Sequence, residues 1–273
     1  MNPFIKYITK AIKIFSFIAF SFFLSSVSQA QVPTLPVIPA PAFKPSAVMA
    51  YVEVAGTMTQ SPQYLKVVWL DNNGNFITTT IDSSSGSGLG NSIHFIKLLK
   101  IERKIFLIGE KCAPTSAGTR CEVKVYTLSM RAPYSFSVET ISFPTIYPFE
   151  TIGLDMEYKN NNLYVFHTRR LHFSGQLPGI WMGVKNNNQW QVSQMSFSTF
   201  GGLDAEINTE NNVDIVYLTG VDSITNVLKL GKWDIANSQM ISEQPISSGV
   251  LAQRPIRLGI DSNGPVVTAI PAQ

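Results

Sequence analysis

A hairpin pattern that recurs along the chain is the strongest constraint on its fold. In residues 151–170, TIGLDMEYKNNNLYVFHTRR, two runs of alternating apolar and polar residues flank a turn of three asparagines. The pattern recurs at 202–217, GLDAEINTENNVDIVY, and at 256–270, IRLGIDSNGPVVTAI. Alternation with a period of two is typical of β-strands, and Asn and Gly tolerate the positive φ that tight hairpin turns need. The sequence therefore predicts an all-β fold built from repeated hairpins.

These hairpins are of two kinds, which alternate along the chain. The first kind has the pattern just described and predicts strand pairs at 92–109, 151–168, 202–219 and 255–270. The second kind predicts strand pairs at 64–81, 123–143, 179–197 and 227–246. One hairpin of each kind makes a four-stranded unit with a period of about fifty residues.

Four-stranded units of this length resemble the blades of the β-propeller repeat families. The resemblance covers about residues 46–273 and implies a small propeller, closed by pairing the hairpin at 64–81 with the hairpin at 255–270 in one sheet. That count gives four blades; five blades, or a β-sandwich, are the alternatives. DNNGNF at 71–76 is only partly similar to the Asp-box of sialidase-like propellers, because its Asp and Gly are three apart rather than two.

The N-terminal residues have the pattern of an export signal followed by an extended leader. Three lysines precede an aromatic-rich apolar run at 14–24, and small residues follow, so we expect cleavage after Ala30. The run is shorter than the roughly twenty residues that span a bilayer. Residues 31–45 contain five prolines and predict an extended segment before the domain at 46–273. We expect a monomeric protein in the periplasm or outside the cell, with no transmembrane segment after cleavage.

The charge balance argues against a nucleic-acid partner. The chain has 21 Lys and Arg against 18 Asp and Glu, and the first thirty residues hold three lysines and no acidic residue. Cleavage after Ala30 therefore leaves 18 basic against 18 acidic residues. Binding to nucleic acid depends on a basic surface that neutralises phosphates, so we exclude nucleic acid as a partner.

The chain has two cysteines, Cys112 and Cys121, with eight residues between them. An isolated pair in an oxidising compartment predicts a disulfide. Neither cysteine has a histidine near it in sequence, which argues against a metal site.

A basic cluster follows the second strand of the opening hairpin. His167, Arg169, Arg170 and His172 lie at the start of a predicted loop, and the guanidinium fork of Arg can bind carboxylate, phosphate or sulfate. We predict that this cluster binds a ligand; the alternative is that the arginines are solvated or paired with Glu150 or Glu157.

Acidic residues repeat in the predicted inner strands. Asp155 and Asp204 each follow a Gly-Leu pair, and Glu157 and Glu206 follow two residues later. Inner strands line the channel of a propeller, so these four acids are the candidate catalytic residues if the protein is an enzyme, and they could hold calcium. The alternative is that a repeat simply repeats its polar positions. We otherwise predict no cofactor and no metal.

The sequence contains no recognisable catalytic constellation, because it lacks nucleophile, zinc and phosphate-loop motifs. We therefore predict an exported binding or interaction module, rather than an enzyme, whose ligand is a glycan, an anionic small molecule or a protein. One alternative is a carbohydrate-active hydrolase or lyase that uses the inner-strand acids. Another is a structural or assembly partner.

Overall fold

The fold was analysed in a computed structural model, which describes residues 47–56, 61–70, 73–85, 92–101, 104–115, 118–129, 135–143, 149–171, 179–186, 188–196, 198–222, 224–248 and 256–269. All of them belong to one compact unit, Ala42–Gln273. The predicted signal peptide, the proline-rich leader and His172 lie outside the described residues. Within those ranges the chain forms strands and turns, and no helix there is long and apolar enough to cross a membrane.

Seventeen strands form five antiparallel sheets in the described part of the chain, and each sheet is a meander in chain order. The first sheet has three strands: β1 (Ala47–Val54), β2 (Gln63–Leu70) and β3 (Phe76–Ser84). The second has four: β4 (Ser92–Ile101), β5 (Lys104–Thr115), β6 (Gly118–Leu128) and β7 (Phe136–Ile141). The third comprises β8 (Phe149–Lys159), β9 (Asn162–Leu171), β10 (Gly179–Asn186) and β11 (Gln189–Ser196). The fourth comprises β12 (Phe200–Glu210), β13 (Val213–Asp222), β14 (Val227–Asp234) and β15 (Gln239–Ser248), and the fifth β16 (Ile256–Asp261) and β17 (Gly264–Ala269).

The turns of these hairpins have the backbone conformation that their sequences predict. Asn160 and Asn161 have φ of 49° and 64°, and Asn211 and Asn212 repeat those values. The side-chain amide of Asn160 donates to Asp214 Oδ2 at 2.7 Å, which joins the β8–β9 turn to the start of β13. The prediction of an all-β chain of paired hairpins is confirmed.

Apolar side chains pack consecutive sheets face to face. Between the third and fourth sheets, the leading sheet buries residues of β9, β10 and β11, and the following sheet buries residues of β12, β13 and β14. Tryptophans lie in three successive interfaces: Trp69 between the first two sheets, Trp181 between the next two, and Trp233 between the third and fourth. This sequential stacking is propeller-like, whereas a β-sandwich has two sheets.

The inner strands β4, β8 and β12 lie side by side, and each contains a bulge. The register with the partner strand shifts between His94 and Lys97 in β4, between Thr151 and Gly153 in β8, and between Gly201 and Asp204 in β12. Gly153 has no room for a side chain, because a Cβ there would lie 2.6 Å from Leu203 Cβ. Bulges re-aim the side chains that follow them, and here those side chains include Lys97 and Asp204.

The expected closure of the ring is not found among the described strands. The hairpin β2–β3 pairs with β1, whereas β16 pairs with β17 in a separate sheet. The physical reason is that β1 occupies the edge of β2 that the C-terminal hairpin would need: its eight residues pair with β2 from Ala47–Leu70 to Val54–Gln63.

Candidate functional site

The basic cluster predicted from sequence is placed differently by the structure. His167 and Arg169 were expected at the start of an exposed loop, but both lie within β9 and are buried, with 0% and 4% of their surface exposed. Alternation along the strand puts them on the same face as Leu163 and Val165, which pack against the second sheet. Arg170 is also part of β9, but its side chain lies outside the described residues. This placement corrects the expectation that His167 and Arg169 begin an exposed loop, whereas ligand binding by the cluster stays a prediction.

Buried partners surround His167 and Arg169. Arg169 Nε donates a hydrogen bond to His167 Nδ1 at 3.0 Å, and His167 Nε2 lies 3.8 Å from Glu110 Oε1. The Phe143 ring packs on both side chains, with its centroid 4.9 Å from the imidazole centroid and 5.5 Å from the guanidinium carbon. Because both side chains are buried, His167 and Arg169 do not present an exposed site for an anion.

The electrostatics of this group follow from its burial. Burial lowers the pKa of His167 to about 4, against the opposing effect of Glu110, so the imidazole is neutral near pH 7. Burial also lowers the pKa of Arg169 to about 10, which leaves its guanidinium charged. Glu110 is 5% exposed and is the acidic partner of both. Glu110 cannot be identified as part of a site from sequence alone, because it is an isolated acid in an apolar strand.

The predicted disulfide is present beside this group. Cys112 on β5 and Cys121 on β6 lie directly opposite each other and are bonded, with Cα atoms 3.9 Å apart. The Glu110 carboxylate lies within 4.8 Å of both sulfur atoms. Since both sulfurs are in the disulfide, Glu110 and the two cysteines are not a metal centre.

Charged side chains from three inner strands meet at Lys97. The Lys97 ammonium, on β4, contacts Asp155 Oδ1 on β8 and lies 3.0 Å from Asp204 Oδ1 on β12. The side chain of Asp155 is fully buried and that of Asp204 is 7% exposed. The structure thus brings together Asp155 and Asp204, which the sequence repeat aligned. Both contact Lys97, which the sequence alone did not indicate.

Each aspartate also binds the backbone of the next sheet. Asp155 Oδ2 accepts a hydrogen bond from the amide of Ala205 in the fourth sheet at 2.7 Å. Asp204 Oδ2 accepts one from the amide of Leu258 in the fifth sheet, also at 2.7 Å. Every carboxylate oxygen of the pair therefore has a protein partner, and the two aspartates act as ties between sheets.

Glu157 and Glu206 form the more open part of the acidic cluster. Both are half-buried on the same inner strands, two residues beyond the aspartates. Burial, and after it the negative charges of Glu206 and Asp155, raises the pKa of Glu157 to about 8 against the opposing effect of Lys97. The pKa of Glu206 is also raised, first by burial and then by Asp204. At neutral pH Glu157 therefore holds its proton.

This environment bears on which ligands the cluster can hold. A neutral carboxylic acid donates one hydrogen bond and accepts others, which matches a hydroxyl group. Calcium takes six to eight oxygen ligands from charged and carbonyl groups, and Glu157 would first have to lose its proton. Calcium binding stays a prediction.

Lys97 follows a bulge in a strand with no Gly-Leu-Asp sequence, so the repeat alignment pairs it with neither aspartate. The signal that could have indicated it is charge: a lysine in the apolar run SIHFIKLLKI requires an acidic partner if it lies in an inner strand.

The chain matches no family model and no curated protein. Among solved structures it is similar to the crystal structure of an endo-arabinase from Bacteroides thetaiotaomicron VPI-5482, with 11% sequence identity and a TM-score of 0.39. That similarity covers 86% of this chain and 99% of the other. A likeness this distant supports no inference about activity.

Proposed function

We propose that this protein is an exported, propeller-like binding module whose ligand site is formed by Glu157 and Glu206. The proposed ligand is a neutral, hydroxyl-rich molecule, of which a glycan is the main class. The observation that carries the proposal is the pair of half-buried carboxyl groups, Glu157 on β8 and Glu206 on β12, and burial raises the pKa of Glu157 to about 8.

The two glutamates are favoured over the neighbouring aspartates because of their hydrogen bonds. Asp155 and Asp204 are occupied by Lys97 and by backbone amides of the next sheet. Glu157 and Glu206 are only half-buried, so a ligand can reach them. We therefore propose that the two aspartates hold the sheets in place and that the two glutamates contact the ligand.

The charge of the cluster favours a neutral ligand over an anion. The Lys97 ammonium is matched by two carboxylates, and Glu206 adds further acidic character. The alternative anion site loses its support, because His167 and Arg169 are buried against Glu110 and Phe143. Sugar hydroxyls, which both donate and accept, fit a neutral acid next to a carboxylate.

Export and ring geometry belong to the same proposal. Two cysteines joined in a disulfide are typical of an oxidising compartment, which supports export. In the proposed propeller the three four-stranded sheets are complete blades, and the first and last sheets, with three and two strands, are incomplete.

A glycan array on the mature protein, followed by titration calorimetry on any glycan retained, tests the binding proposal. Glu157→Gln keeps a hydrogen-bonding amide in place of the neutral acid and should weaken binding moderately, whereas Glu157→Ala should abolish it. Glu53→Gln, on an exposed part of β1, is the matched control and should bind as the wild type does. Affinity should fall as the pH rises through about 8, where Glu157 ionises. Binding that survives Glu157→Ala and Glu206→Ala would refute the site.

Glycoside hydrolysis or lyase chemistry is the second candidate, and one observation favours it. The charge of Glu206 helps to raise the pKa of Glu157 to about 8, and a pair of carboxyl groups, one with a raised pKa, is what glycosidases use as acid and base. A broad screen of glycosidase and lyase substrates separates the two functions. Turnover that disappears in Glu157→Gln and Glu206→Gln would establish the enzyme, and binding without turnover would establish the module.

A further inference from the structure

The complete sheets pack on one another with a regular offset. Between the second and third sheets, the buried residues of the leading sheet come from its second, third and fourth strands (β5, β6 and β7), and those of the following sheet come from its first, second and third (β8, β9 and β10). The strands β4 and β11 add only partly buried residues. The interface between the third and fourth sheets repeats this pattern with β9–β11 and β12–β14. The set of strands that a sheet buries against the next sheet therefore indicates the order of those strands within their own sheet.

The same offset assigns positions in the incomplete first sheet. The second sheet packs against it with residues of β4, β5 and β6, which are its first, second and third strands. The first sheet contributes buried residues of β2 and β3 and only partly buried residues of β1. We therefore assign β2 and β3 to the third and fourth positions, and β1, which pairs with the other edge of β2, to the second. The sequence agrees independently, because the β2–β3 turn LDNNGNF resembles the β10–β11 turn VKNNNQW, and β10–β11 holds the third and fourth positions.

The C-terminal hairpin holds the first and second positions. Its β16 lies against β12 and β13, and the amide of Leu258 donates to Asp204 as the amide of Ala205 donates to Asp155. Among the described residues β17 pairs with β16 alone, and Val266 is 49% exposed. The first and last sheets together thus supply five strands for four positions, and β1 and β17 share the second.

We propose that β1 is an exchangeable strand, which β17 displaces from the edge of β2. The exchange builds the four-stranded sheet β16–β17–β2–β3, closes the ring of sheets, and releases β1 together with the residues before it. It is a conformational switch between the pairing in this structure, where β1–β2–β3 and β16–β17 are separate sheets, and a closed ring of sheets.

The contacts of β1 are weak enough for such an exchange. No residue of β1 is fully buried; Val48, Ala50 and Val52 only flank the core between the first two sheets. The ion pair between Glu53 and Lys66 crosses from β1 to β2, but it is exposed and adds little stability. By contrast, Leu65 and Val67 of β2 are fully buried, so β2 stays in place while its edge partner changes.

Hydrogen–deuterium exchange on the full mature protein tests the proposal. The variant carries Ala50→Pro and Tyr51→Pro, so that at least one proline removes a backbone donor from the ladder to β2. The matched control carries Ser137→Pro and Val138→Pro in β7, an edge strand whose place no other described strand is proposed to take.

In the β1 variant, β1 amides should lose protection, β2 amides should keep theirs, and β17 amides should become more protected. In the β7 control, β6 amides should lose protection along with β7, because no strand replaces it. Adding Val267→Pro and Thr268→Pro in β17 to the β1 variant should then remove the protection of β2. Loss of protection at β2 in the β1 variant, with β17 unchanged, would overturn the exchange.

If the β1 variant does not fold, the wild-type protein decides. The exchange requires β1 amides to open while β2 stays protected, so β1 should exchange faster than β2. Equal rates in one cooperative unit would overturn the proposal.

Discussion

Replacing Lys97 with methionine should strongly destabilise the protein, because it leaves two buried carboxylates without their cation. Asp155 is fully buried, and Asp204 is 7% exposed. Removing one partner from a buried ion pair costs about 3–5 kcal/mol. For a domain of this size, each kcal/mol lowers the melting temperature by about 2–4 °C, so the variant should melt about 6–20 °C below the wild type.

The loss of stability in Lys97→Met should depend on pH, and the pKa of Asp155 determines whether the loss grows or shrinks as the pH rises. Burial raises this pKa to about 7, and Lys97 holds it down. Without Lys97 it rises further above the unfolded value of 3.8. A folded-state pKa above the unfolded one gives stability that is present at acid pH and is lost as the pH rises toward the folded pKa. The part of the loss that comes from Asp155 should therefore be smaller at pH 5 than at pH 8.

Urea denaturation of the wild type and the variant at both pH values measures the effect. Lys97→Arg keeps the cation and should retain most of the stability. Lys66→Met removes a lysine from the exposed pair with Glu53 and should cause no measurable loss at either pH. A loss below about 1 kcal/mol for Lys97→Met at pH 8, or an equal loss at pH 5, would refute the reasoning.

Three further predictions concern the disulfide and the two acidic groups. Replacing Cys112 and Cys121 with serine should lower the free energy of unfolding by about 2–3 kcal/mol, by urea titration, because the bond closes a short loop; an unchanged midpoint would contradict this. His167 should stay neutral in an NMR titration down to about pH 4, and stability should fall as the pH drops from 6.5 toward that value, since the unfolded imidazole takes up the proton first. A His167 that titrates near 6.5 would show that it is not buried as described. Glu206→Gln removes a neighbouring negative charge and should lower the pKa of Glu157 from about 8 in a carboxyl NMR titration; an unmoved pKa would show that the two groups do not interact.

The hairpins and their turns could be predicted because both follow from local sequence. Alternation fixes which residues can form a strand, and Asn or Gly fixes where the chain can turn with positive φ, as at Asn160 and Asn211. The disulfide was predictable because two cysteines leave a single pairing. These properties need no knowledge of how distant strands meet.

The site was harder to predict because it depends on contacts between sheets. A cluster of basic residues predicts a loop for His167 and Arg169. In the strand, however, these side chains lie on the same buried face as Leu163 and Val165. The same alternation that identified the strand could have indicated their burial. Lys97 could not be placed, because its position depends on a bulge that breaks the alternation in β4.

The position of strand β1 was the remaining difference between sequence and structure. The sequence of residues 47–56 is typical of a strand. Whether this strand pairs with β2 depends on whether β1 or β17 reaches β2 first or binds it better. Pairing between segments far apart in the chain is not encoded in either one alone.

The aspartate ties between sheets also constrain the order in which the protein can assemble. Lys97 leaves the ribosome before Asp155, and Asp155 before the Ala205 amide that completes its hydrogen bonds. Each carboxylate is fully satisfied only after the next sheet has docked, and Asp204 must wait for Leu258 near the C-terminus. Intermediates that lack the last hairpin therefore carry a carboxylate oxygen without its amide donor, which links the folding of each sheet to the docking of the next.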